Sequence, residues 1–202
     1  MLKESACELL AASEHNVMFS DLYAEHFIAV ASWDDFNLSQ TETSPHYFLS
    51  QQEAYQKQAL TNDISTEINK ISWADHIIFQ FPLWWFSTPA ILKGWFDRVL
   101  VKGFAYDSDK IFCDGLLKGK TASLVVTTHS PESAYQTDGS HGNTIDTFLH
   151  HIHHTLRFVG IKPISPFVIY GVFNLAEARC EEIVKNYRVY LTNLMENYLK
   201  FK

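Results

Sequence analysis

The amino-acid sequence predicts an α/β fold: a doubly wound parallel sheet with helices on both faces. Three observations predict it. Short apolar runs such as His76-Ile77-Ile78-Phe79-Gln80-Phe81 have strand length and little polar alternation, as strands buried on both faces do. Segments with apolar residues at helical spacing separate these runs. Polar loops follow Phe81 and Thr128, and in such sheets ligands bind beyond the carboxyl ends of the strands.

Leu2, Ala6, Leu9 and Leu10 form one apolar stripe that predicts a helix over residues 2–13. Val17–Asp21 reads as a short strand after the turn-like Glu14-His15-Asn16. Residues 30–62 have weak periodicity and read as an excursion with one helix near 50–59, long enough to be a functional loop. Ile64, Ile68 and Ile71 space the next helix. The strand His76–Phe81 stops at Pro82, which cannot donate to a ladder. Pro89 opens a helix at its first turn, where a missing N–H costs nothing. Ile91, Leu92, Trp95, Phe96, Val99 and Leu100 make its apolar face. Residues 103–120 read as irregular. Ala122–Thr128 is another buried strand, 129–142 a polar loop, and a helix runs on to about Phe158. Ile164–Tyr170 is the last strand, with Pro166 at an edge or entry position, and a final helix runs from about Leu175 to the C-terminus. Residues 1–202 read as one domain.

Composition narrows the function classes. The chain has 202 residues, 47% of them hydrophobic and 19% charged, enough to bury a core without staples. A formal net charge of −7 does not favour nucleic acid or anionic lipid. No apolar run reaches the roughly 18 residues of a membrane span, and the N-terminus lacks the pattern of a signal peptide. Three scattered cysteines, Cys7, Cys113 and Cys180, without a CxxC, argue against a disulfide framework or a zinc site and for a reducing cytoplasm. His150 and His154 are spaced to grip a metal from one helix face, but no acidic or cysteine partner is evident. With His151 and His153 they are read as polar interface residues, and no metal is expected.

The most informative stretch is Phe79-Gln80-Phe81-Pro82-Leu83-Trp84-Trp85-Phe86-Ser87-Thr88-Pro89-Ala90-Ile91-Leu92-Lys93-Gly94-Trp95-Phe96-Asp97-Arg98-Val99. A flavin ring needs an apolar wall, a stacking surface and backbone N–H groups aimed at its oxygens and nitrogens. A rigid proline, large rings and amides just past a strand end supply these. The stretch resembles the signature of the NAD(P)H:quinone oxidoreductases, with Asp21-Leu22-Tyr23-Ala24, Gly103-Phe104-Ala105-Tyr106, Thr127-Thr128, Tyr135, His141-Gly142 and Phe158-Val159-Gly160 extending the match. The resemblance implies a flavodoxin-like fold and two-electron, ping-pong hydride transfer from NAD(P)H through bound flavin, FAD or FMN, to a quinone-like acceptor. It implies that Pro82, Leu83, Trp85 and Phe86 line the flavin ring, with Phe86 also facing the substrate. Thr127, Thr128, His129, Ser130 and Tyr135 fall on its flavin-contacting loop, and Arg179 matches a basic residue near the adenine end. Tyr135 and His141 match donors that stabilise the charge arriving with hydride. Tyr106 and Phe158 match aromatics contributed by a second subunit, so a homodimer is implied.

Two departures stand out. Met1-Leu2-Lys3-Glu4 matches the inside of the family's first helix, so the first strand and phosphate-binding loop are expected to be missing, and with them strong flavin binding. The family's Thr-Thr-Gly-Gly reads Thr127-Thr128-His129-Ser130 here, which restricts backbone approach to a ligand. Two other readings remain open: a regulatory subunit such as the ancillary proteins of potassium-efflux systems, and a one-electron carrier. An enclosed aromatic pocket argues against the carrier.

Overall fold

The computed structural model describes residues 2–39, 44–173 and 175–198. Its elements are α1 (Leu2–Ala12), α2 (Tyr47–Gln56), α3 (Asn62–Trp73), β1 (His76–Pro82), α4 (Ala90–Val99), β2 (Thr121–Thr127), α5 (Ile145–Phe158), β3 (Lys162–Pro163), β4 (Phe167–Ile169) and α6 (Glu177–Tyr198). β1 and β2 pair in parallel from His76↔Thr121 to Pro82↔Thr127. β3 and β4 both pair with β2, also in parallel.

Side-chain alternation along β2 explains why helices cover both faces. Ala122, Leu124 and Val126 join Phe79 and Phe81 in a core closed by Ile64, Ile68 and Ile71 of α3, Leu92, Trp95 and Val99 of α4, and Leu149, Ile152 and Leu156 of α5. Val125 points the other way, into a second core with Ala6 of α1 and Tyr187 and Leu191 of α6. The expected doubly wound architecture is therefore present.

Three expectations need correction. Val17–Asp21 is not a strand: residues 15–20 are irregular, and Val17, Met18 and Phe19 are exposed. A strand exists only as part of a ladder, and among the described residues β1 is paired on one side only. Side chains hold the segment instead. Ser20 Oγ donates to Glu67 at 2.9 Å, and the Lys3 ammonium sits 3.7 Å over the Phe19 ring. The strand expected over Ile164–Tyr170 is split into β3 and β4 around Ser165-Pro166. Ile164 N still donates to Ala122 O at 2.7 Å, but Pro163 and Pro166 have no N–H to offer. Pro89 caps α4 (ψ 150°) rather than occupying its first turn, and its carbonyl accepts from Leu92 and Lys93. The ends of the C-terminal helix beyond Tyr198 lie outside the described residues.

At the opposite end of the sheet from the polar loops, the His76 ring bridges two hydroxyls of β2. Nδ1 lies 2.7 Å from Thr121 Oγ1 and Nε2 lies 2.9 Å from Ser123 Oγ. Burial pushes this imidazole down from 6.5 to about 4. Between those values the unfolded chain binds a proton that the folded chain refuses, so stability is lost as pH falls from about 6.5 towards 4. The loss attributable to His76 should be on the order of 2 kcal/mol by pH 4. Urea denaturation of the parent and of His76→Asn across this window measures it. The variant's stability should fall less steeply, and equal slopes would contradict the assignment.

Candidate active site

Both polar loops leave the sheet at the same end. The ladder continues past β1, with Leu83 N donating to Thr127 O at 2.8 Å, and past β2, with Thr128 N donating to Ile169 O at 2.9 Å. The two loops therefore start side by side.

The first loop is a tight turn. Trp84 N donates to Ser87 O and Ser87 N to Trp84 O, both at 3.0 Å. Between them Trp85 (φ 49°) and Phe86 (φ 61°) adopt the left-handed region, where non-glycine residues each cost on the order of 1 kcal/mol or more. The turn projects Trp85 outward with 94% of its surface exposed, and Phe86 is exposed too. Their amides have no hydrogen-bond partner among the described residues. The strained turn thus presents the exposed Trp85 ring, part of Phe86 and two unused donors to solvent.

The second loop closes over Phe86. Thr128 is buried; its hydroxyl donates to Ser130 O at 2.8 Å, and Gly171 N donates to the same carbonyl at 3.0 Å. A short helical turn over Glu132–Tyr135 buries Tyr135, and the chain doubles back so that His141 N donates to Ala134 O at 3.1 Å. Gly139 permits this return, since a Cβ there would lie 2.3 Å from Ser133 O. The His141 ring then sits 4.8 Å from Tyr135 and 5.1 Å from Phe86, centroid to centroid. Phe148 of α5 stacks on Phe86 at 5.0 Å, and Tyr170 packs on Tyr135 at 5.6 Å. His129 is exposed and touches Phe173.

The structure thus brings together Pro82, Leu83, Trp85, Phe86, Thr127, Thr128, His129, Ser130, Tyr135 and His141 at one end of β1 and β2. Three expected site residues lie elsewhere. Tyr106 and Phe158 touch each other at 5.4 Å and Phe158 touches Phe112, but neither ring contacts Phe86 within this chain. They line a separate cavity of about 340 Å³ with Thr88, Lys93, Asp97 and His151. Burial and the Asp107 carboxylate hold the Tyr106 phenol above its ordinary value, so it stays protonated. Arg179, in the first turn of α6, pairs with Glu182 at 2.7 Å, and no hydrogen bond, ion pair or ring contact ties it to either loop. His150 and His154 stack at 6.0 Å, and no metal-holding cluster occurs among the described residues.

Sequence reasoning missed Phe148, His151 and Tyr170. Phe148 and His151 sit one turn apart on α5, and His151 Nε2 lies 3.0 Å from Ser87 Oγ. Their spacing was a usable signal. Tyr170 carried none, because it reaches the site only through the pairing of β4 with β2.

Known proteins share the fold of this chain. A family model described as flavodoxin-like fold matches residues 1–191. The ribosyldihydronicotinamide dehydrogenase [quinone] of Mus musculus is 43% identical over 175 residues, covering 85% of this chain and 74% of its own. NAD(P)H dehydrogenase [quinone] 1 of Cavia porcellus is 36% identical over 197 residues, covering 96% and 71%. Among solved structures, a protein assigned as a quinone reductase from Klebsiella pneumoniae superposes with a TM-score of 0.88 at 34% identity, covering 96% of this chain and 78% of that one. No helix among the described residues is long and apolar enough to cross a membrane.

Proposed function

Because the chain belongs to the flavodoxin-like NAD(P)H:quinone oxidoreductase family, we propose that it passes two electrons from NAD(P)H through a bound flavin to a quinone-like acceptor. The observation that carries this reading is the Trp85–Phe86 turn. It offers exposed rings and unused amides opposite Tyr135 and His141.

The residues fit an isoalloxazine ring. Pro82 and Leu83 form its apolar floor, Trp85 and Phe86 supply stacking surface, and the Thr127–Ser130 segment lines its other side. Flavin, when bound, supplies a site that accepts hydride from a nicotinamide and returns it to an acceptor. The chain's own residues do the rest. Tyr135 and His141 present donors where negative charge develops, held in place by ring packing so that no reorganisation is needed. Phe86 would give the nicotinamide and the acceptor the same stacking face, which suits ping-pong turnover.

FAD is our choice over FMN, with Arg179 towards its adenine end. The working unit in this reading is a homodimer with composite sites; an exposed Phe86 and a cavity lined by Tyr106 and Phe158 on the same chain support it. Three free thiols, Cys113 among them exposed, suit a reducing cytoplasm.

Anaerobic rapid mixing tests the reading. The chain loaded with FAD or FMN should be bleached by NADH or NADPH and reoxidised by a quinone. Phe86→Ala should raise the KM for the quinone roughly tenfold with little change in the bleaching rate, since it removes stacking surface and no donor. A flavin-loaded chain that NAD(P)H does not bleach would remove the proposal.

A further inference from the structure

We propose that Ser130 is a positioning residue for His141, its hydroxyl fixing the orientation of the imidazole. The inference rests on the reading of His141 as a donor in flavin reduction.

Three walls of the His141 ring are aromatic. Tyr135, Phe86 and Phe148 lie at centroid distances of 4.8, 5.1 and 6.4 Å. Such walls hold the plane of a ring but discriminate poorly between its nitrogens. The side-chain hydrogen bond that can discriminate joins His141 Nε2 and Ser130 Oγ, 3.1 Å apart. No other hydrogen-bond partner of the imidazole occurs among the described residues.

The hydroxyl is itself firmly placed. The Ser130 carbonyl accepts from Thr128 Oγ1 and from Gly171 N, which ties the residue to the ends of β2 and β4 together. His141 is pinned from the other side by its amide, which donates to Ala134 O. Both ends of the bond are therefore fixed by backbone. A hydroxyl can donate to a ring nitrogen or accept from its N–H, but it pairs poorly with a ring carbon. Ser130 thus holds the ring in the flip that places Nε2, not Cε1, against residue 130. Glycine, which the resembled loop has at this position, offers no such group. The pairing is a property of this sequence, and it turns the departure at residue 130 from a loss of backbone freedom into a gain of order at the donor.

Long-range ¹⁵N–¹H imidazole spectra of the histidine-labelled chain test this directly, with the His141 signals identified by their loss in His141→Ala. The parent and Ser130→Thr should show one sharp set of imidazole signals for His141. Ser130→Ala should show them shifted and broadened by flipping of the ring. Flavin bleaching by NAD(P)H should slow roughly three- to tenfold in Ser130→Ala and recover in Ser130→Thr, the effect of one net hydrogen bond. A Ser130→Ala spectrum identical to the parent's overturns the proposal. If Ser130→Ala frees the ring but His141→Ala bleaches as fast as the parent, the pairing stands and the donor role of His141 falls.

Discussion

Replacing Arg98 by methionine is expected to lower stability by about 3–5 kcal/mol, the range for breaking a buried ion pair from one side. Arg98 is 1% exposed on α4. Its Nε and Nη2 donate to Asp35 Oδ1 at 3.1 and 2.8 Å, and its Nη1 donates to Ile28 O at 2.7 Å and to Asp63. Tyr47 adds a short hydrogen bond to the other oxygen of Asp35. Burial and that carboxylate raise the Tyr47 phenol far above its ordinary value, so it remains a donor. Without the guanidinium, Asp35, itself 2% exposed, is a buried carboxylate with no cation. Urea denaturation near neutral pH measures the loss, and a loss under about 1 kcal/mol would contradict the account. Arg98→Met combined with Asp35→Leu should recover most of it, because the unpaired charge goes too. The arginine also fastens the 28–36 segment, α2 and α3 to α4, the helix that leads out of the Trp85–Phe86 turn. Its loss should therefore loosen the candidate site as well as the fold.

That network shows what could be read in advance and what could not. Arg98 was visible as one position of a recognisable stretch, but its partner Asp35 lies in the segment whose periodicity was weakest, and Asp63 just past its end. Pairing across such separations is settled by packing and leaves no local pattern. Gly94 is similar. A Cβ there would lie 1.9 Å from Ala29 O, so the glycine exists because α4 lies directly against the backbone of a loop that sequence reading could not place. β1 and β2 were legible because strands buried on both faces must be apolar at nearly every position. Val17–Asp21 had the same apolar character and failed, because strand character in a sequence says nothing about whether a partner edge is within reach. The Trp85–Phe86 turn and the return at His141 lay where the winding rule and the family signature placed them. Phe148 and Tyr170, which pack the back of that site, were not among the residues that the family signature marked.

The pairing of Tyr135 with His141 leads to the second large effect. Tyr135→Phe and His141→Ala should each slow flavin bleaching by NAD(P)H roughly tenfold, while the double variant should slow it by about 10²–10³-fold. Removing a lone preorganised donor typically costs on the order of 10²–10³ in rate. Here two donors with rings 4.8 Å apart serve one developing charge, so each covers part of the loss of the other. Residues that act as a unit give non-additive effects. Tyr135 is 5% exposed, and its ring also packs on Phe148 and Tyr170, so phenylalanine keeps the packing and removes only the hydroxyl. His141→Ala opens space beside Phe86, and His141→Phe is the control that refills it. Flavin affinity, measured by equilibrium titration, should be the same in all four variants as in the parent, because the turn amides and the Thr127–Ser130 segment are untouched. Rapid-mixing absorbance under anaerobic conditions then isolates the reductive step from acceptor binding. A double variant that bleaches within a factor of about three of the parent would show that neither group meets the charge that arrives with hydride.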